Sequence, residues 1–120
     1  MTKYKPDAED RREQRIRRLG FDDPMCVICG EDYVLCLEKH HVAGRKYDDT
    51  EVPVCCNCHR KLSDNQLDYP DSNPNQDRNL LTIGYFLMGL SDLFKLLAEK
   101  LMEFGNHLIV NAHSQEQIDE

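Results

Sequence analysis

Cysteines at 26, 29, 55 and 58 form two C-x2-C pairs with 25 residues between them, and nothing else in this 120-residue chain limits its fold as strongly. Each pair can grip one side of a tetrahedral ion, and thiolates at this spacing are a ligand set that Zn²⁺ favours. Gly30, directly after the first pair, lets backbone amides turn towards the sulfurs. Zinc here stands in for core, because a segment of roughly 40 residues cannot bury enough apolar surface to hold together alone. Cys36, among Val34, Leu35 and Leu37, reads as a small core residue. Cys56 is an alternative to Cys55 as ligand, but with Cys58 it makes only C-x-C, a poorer match to the first pair.

The formal charge of −7 does not advertise a nucleic-acid binder, yet it is unevenly spread. Residues 1–19 carry a net +3, residues 39–61 a net +2 and residues 62–120 a net −7, so the basic excess lies beside the cysteines and most of the histidines. No apolar run reaches the roughly 18–20 residues of a bilayer span. The best candidate, Leu80 to Leu90, is broken by Gly84 and Gly89 and followed by Asp92 and Lys95. With no apolar signal region at the start either, the expectation is a cytoplasmic protein without a membrane partner, in which six cysteines are metal ligands and core residues rather than disulfides.

Five segments follow. Residues 1–23 read as a basic arm with a helix over 7–19, acidic at its start, arginine-rich at its end and stopped by Gly20, with only Ile16 and Leu19 to anchor it. Residues 24–68 make the zinc-bound unit, with short strands at 34–42 and 51–54 and a helix from Cys56 to about Gln66. Pro53 marks its strand as an edge strand. Residues 69–79 are a turn-rich linker whose Asn73, Pro74 and Gln76 spell a helix start. Residues 80–110 are a long amphipathic helix expected to end near Phe104, before Gly105-Asn106, and 111–120 a frayed tail. Between 80 and 108 that helix carries apolar residues at alternating steps of three and four. Such a stripe is buried either against the middle of the same chain or against a second copy, and the small size of the middle segment favours a homodimer.

Between the cysteine pairs stand His40 and His41, and directly after the last cysteine stands His59. If Cys58 faces the zinc from a helix, His59 is turned away by about 100° and need not share that ion. Two of the three imidazoles can then hold a second metal while the third acts as a base; the plainer alternative is that all three are surface groups or neighbours of the zinc.

The runs C26-VI-C29, EKHHVAGR at 38–45 and VPVCCNCHRKLS at 52–63 together resemble the zinc-containing HNH endonucleases, over about residues 24–66. The resemblance implies an α+β fold: a ββα-metal motif inside a treble-clef, four-cysteine zinc scaffold, here followed by the long helix. It implies structural zinc on Cys26, Cys29, Cys55 and Cys58, a catalytic Mg²⁺ or Mn²⁺ on His40 and His59, and His41 as the general base. The family's middle Asn is replaced by Thr50, which serves where a backbone carbonyl is needed and is a poorer ligand where a side chain is; Asp48 or Asp49 would then compensate. Arg45, Lys46, Arg60 and Lys61 flank the histidines and are expected to contact phosphates. The implied activity is hydrolysis of phosphodiester bonds, most readily nicking of DNA, with little sequence specificity. Two other classes stay open: a zinc-stabilised nucleic-acid-binding module without cleavage, and a protein-interaction adaptor built on the long helix.

Overall fold

The computed structural model describes residues 5–47 and 49–113, so Asp48 and all of the tail beyond 113 lie outside the described residues. Helix α1, Ala8–Leu19, opens with a capping box in which Asp7 and Asp10 satisfy each other's backbone N–H groups, and it closes on Gly20 at φ +76°. Ile16 and Leu19 do anchor it: both pack on the central core, and Arg15 Nη2 donates to the Leu35 carbonyl at 3.3 Å.

After a single 3-10 turn at Val34–Cys36 come β1, Leu37–His41, and β2, Glu51–Cys55, paired antiparallel with Leu37 opposite Cys55 and His41 opposite Glu51. The first strand is therefore shorter than expected, because residues 34–36 coil into the turn. Cys55 caps α2, Cys56–Gln66, where its sulfur accepts the Cys58 N–H at 3.4 Å. The second C-x2-C pair and helix initiation thus share one residue. Leu37, Val42, Val54 and Leu62 are almost wholly buried where sheet and α2 meet. The first cysteine pair docks on the sheet edge through Val27 N–H, which donates to the Pro53 carbonyl at 3.0 Å.

The long helix, α3, spans Arg78–Val110. Both expected ends move. Half of a capping box forms, with Gln76 Oε1 accepting the Asn73 N–H, while the Gln76 N–H donates to the Asn73 carbonyl and closes a single turn; Asp77 then resets the start by accepting from the N–H groups of Asn79 and Leu80. At the other end Gly105 stays helical, and the Asn111 side chain serves as the cap by donating to the His107 carbonyl at 2.8 Å. Gly84 and Gly89 interrupt nothing, so the helix is, by length and composition, apolar enough to cross a membrane.

The expected seam is only partly the buried face. Gly89 and Leu93 are buried and Phe86 and Leu96 pack on the core, whereas Leu80, Leu87, Phe94 and Leu101 are exposed. Gly89 fixes this rotation: a Cβ there would run into the Val42 carbonyl, so the helix crosses the end of β1 backbone to backbone. The result is a small α+β architecture of a two-stranded sheet and three α-helices among the described residues.

Candidate functional site

Cys26 and Cys29 come from the turn before the sheet, and Cys55 and Cys58 from the junction of β2 and α2. Their four sulfurs lie within 4.8 Å of one another. Cys29 and Cys55 Sγ are 3.7 Å apart, close to the ~3.8 Å edge of a tetrahedron whose Zn–S bonds are ~2.3 Å. Gly30, at φ +80°, turns its N–H onto the Cys26 carbonyl at 2.9 Å. Burial pushes the Cys26 thiol up, but backbone N–H groups of Cys29, Cys55 and Ile28 outweigh it and bring it down to about 7. Cys58 has no such relief, and burial among the other sulfurs raises it. A set of four thiols, three of them buried and one of these already near ionisation, suits a soft divalent cation that replaces the protons. The four cysteines form a site able to bind zinc. Cys36 and Cys56 stand apart from it, with Cys56 Sγ donating to the Cys36 carbonyl at 3.3 Å.

Alternation along β1 sorts the histidines. Glu38 and His40 share one face with His59 of α2; the His40 and His59 rings lie 5.5 Å apart, edge to face at 73°. Two imidazoles bound to one ion at ~2.1 Å would set their ring centres about 5 Å apart, so this pair fits a shared divalent ion. His40 is buried, and burial, then His59 and His41, push it down to about 4, which keeps it a neutral potential ligand near pH 7. Among the described residues, however, the four thiols are the one group of three or more such donors gathered within 4.8 Å. A cation between His40 and His59 would take its remaining ligands from water and substrate.

His41 is on the other face of β1, its Nε2 3.9 Å from Glu51 Oε1. Its carbonyl accepts from Gln66 Nε2 at 3.3 Å, which ties the strand end to α2. The Thr50 carbonyl accepts the Val42 N–H at 3.1 Å, so Thr50 supports the backbone just after the histidines through its main chain.

No protein-family model, no curated protein and no solved structure matches this chain. The residues themselves therefore carry the functional reading.

The four basic candidates divide between two clefts and the helix surface beside them. Arg60 lines an open cleft of about 550 Å³ with Glu38, Asn57 and His59. Arg45 and Lys46 line another with Tyr47, Tyr69 and Tyr85. Lys61 lies on the exposed side of α2 next to Arg60.

Sequence reasoning missed three contributors. Glu38 Oε2 sits 3.3 Å from His59 Nδ1, and the Cys56 thiol and then His59 hold its carboxyl below the usual carboxylate range. Its alternation with His40 in EKHH was the available signal. Asp92, buried on α3, accepts from the Tyr69 hydroxyl and places a negative charge near His40. No local pattern announces it, because 52 residues separate it from His40. Third is a cluster in which Tyr47 stacks on Tyr85 at 4.6 Å while Arg78 lies 5.2 Å from the Tyr47 ring centre. Arg78 also donates to the Lys46 carbonyl at 2.7 Å, so the cluster pins the loop after β1 to the start of α3.

Proposed function

We propose that this chain is a metal-dependent endonuclease of the HNH type, a ββα-metal site in a treble-clef zinc scaffold, that hydrolyses phosphodiester bonds of DNA. The observation that carries the reading is the His40–His59 pair, held at a separation suited to one divalent ion on the strand and helix that adjoin the four-cysteine site. His40 and His59 would hold Mg²⁺ or Mn²⁺, which when bound supplies positive charge for the scissile phosphate and the leaving oxygen. His41, at the last residue of β1, takes the proton from the attacking water, with Glu51 beside it to favour the imidazolium that forms. The phosphate accordingly lies across the strand end, between the cleft that holds Arg60 and the loop that holds Arg45 and Lys46. Those side chains and Lys61 contact phosphates on either side, which gives binding without base readout.

The test is nicking of supercoiled plasmid by the zinc-loaded full chain with Mg²⁺ or Mn²⁺. His41→Ala should lower nicking by about 10²–10⁴-fold while zinc content and DNA binding persist. His59→Ala should instead weaken the affinity for added Mn²⁺. Full activity of the His41 variant rules out its role as base. Binding without nicking by the wild type would select the second reading, a zinc-stabilised nucleic-acid-binding module, which the absence of a third donor beside His40 and His59 among the described residues favours.

A further inference from the structure

Docking on its own domain leaves α3 with a free face that differs from the seam implied by its apolar repeat. At about 100° per residue, the face around Gly89, Leu93 and Leu96 lies roughly 180° from the column Gly84, Ser91, Ala98, Gly105. That column repeats every seven residues, and a Cβ at Gly84 or Gly105 would meet nothing within 4 Å. One flank is the ridge Leu80, Leu87, Phe94, Leu101 and Leu108, between 55% and 69% exposed. The other carries Met88, Met102 and Ile109, with Lys95 as the only charge on the whole face. The face is a groove of small residues between two apolar ridges along a helix of 33 residues.

We propose that this groove pairs with the same groove of a second copy, giving a two-fold dimer whose helices approach closely along Gly84, Ser91, Ala98 and Gly105. Area is the first argument. The eight large side chains of the two ridges, exposing on the order of 100 Å² each, give about 800 Å² per copy, which equals the about 800 Å² per partner of a standard stable interface and exceeds the at most about 600 Å² of the largest patch of a typical monomer. Direction is the second: Gly89 and Leu93, the residues buried against the domain, lie on the opposite side of the helix from the small-residue column, which is left open to a second copy.

Charge separates this occupant from a lipid surface. A helix lying on an anionic membrane is flanked by Lys and Arg, whereas residues 62–120 carry a net −7. Nor can the helix span a bilayer while Asp92 and Gly89 are buried against the domain.

This pairing is independent of the nuclease reading and is tested by sedimentation of the zinc-loaded full chain at tens of micromolar. The wild type should be a dimer, and Gly84→Leu and Ala98→Glu should each weaken it at least tenfold. Zinc content should be unchanged, and Gly84→Leu should not lower the melting temperature of the isolated protomer, because its side chain enters open space and leucine favours helix. A wild-type monomer overturns the proposal, as do variants that pair as tightly as wild type. Flotation of a monomeric wild type with vesicles of phosphatidylcholine and phosphatidylserine would likewise overturn it and assign the face to lipid.

Discussion

The four-cysteine unit and α3 lie against each other but are specified in opposite ways. In the first, few residues do several tasks: Cys55 is at once the last residue of β2, the cap of α2 and a member of the thiol cluster. In the second, thirty-three residues share one repeating pattern, and a single glycine decides which side faces inward. A metal site fixes direction as well as distance, so its sequence signature constrains three dimensions. A helical repeat fixes only a period, and its phase against the rest of the molecule depends on what it meets.

Removing the metal should break the comparison most completely. With zinc chelated, or with Cys29→Ser, the unit that depends on thiolate bonds should lose its cooperative melting altogether, since a structural zinc is worth on the order of 10 kcal/mol or more to a domain of this size. Because the exposed groove of α3 needs no zinc, helical circular dichroism should fall only in part. Elemental analysis paired with thermal melting checks this, and a zinc-free protein with unaltered melting refutes it.

Acid should act on the same unit next. An unfolded histidine takes up its proton near pH 6.5, whereas His40 does so near about 4 in the folded chain. Between those values the unfolded state binds more protons, so stability rises with pH there. The contribution is complete above about pH 6.5 and is lost as pH falls to about 4, by roughly 3 kcal/mol at the limit. Acid also strips zinc from thiolates, so the quantity to follow is the difference between wild type and His40→Gln at equal zinc content. The variant should lack this slope; parallel pH–stability curves for the two proteins would rule it out.

A sharper contrast lies within α3 itself. Gly89→Ala must push the helix off the Val42 carbonyl, at a net cost of about 2 kcal/mol even after the gain in helix propensity. Gly84→Ala meets open space and should stabilise the protomer by about 0.5–1 kcal/mol. Denaturant midpoints measure both. Equal shifts for the two glycines would mean that α3 is not held against β1 as described.

Legibility in the sequence follows the same division. The thiol set, both strands, the start and end of α2 and the stop at Gly20 were readable because each depends on residues within a few positions of one another. The start of α3 is masked by a half-formed capping box at Asn73–Gln76, which closes a turn but loses to Asp77 four residues on. Its end was misplaced because Gly105 looks like a stop only when the apolar residues beyond it are ignored. Asp92 near His40 and the Tyr47–Tyr85 stack were illegible for a deeper reason: they meet only after Gly89 has set the phase of the helix. The opposite faces of His40 and His41, by contrast, follow from strand alternation, and so does the placement of Glu38 on the face of His40 and His59.

That pairing supports the smallest effect. Glu38 Oε2 lies 3.3 Å from His59 Nδ1, so with the proton on Nδ1 the carboxylate accepts it and Nε2 is left free to act as the ligand atom of the proposed site. A carboxylate behind a ligating imidazole raises its basicity and fixes its ring, and losing one costs about 10–100-fold in metal affinity. Glu38→Gln keeps an oxygen that can accept but removes the charge, so Mn²⁺ affinity should fall about tenfold, or ~1.4 kcal/mol, and Glu38→Ala should fall further. Titration of zinc-loaded protein with Mn²⁺, followed by electron paramagnetic resonance, reads this without any nuclease assay. Zinc content and self-association should stay at wild-type levels, because Glu38 belongs neither to the four-cysteine cluster nor to the free face of α3. A wild type that takes up no Mn²⁺ would remove the second metal site itself; a wild type that binds it no better than Glu38→Ala would leave the site standing and strip Glu38 of its part in it.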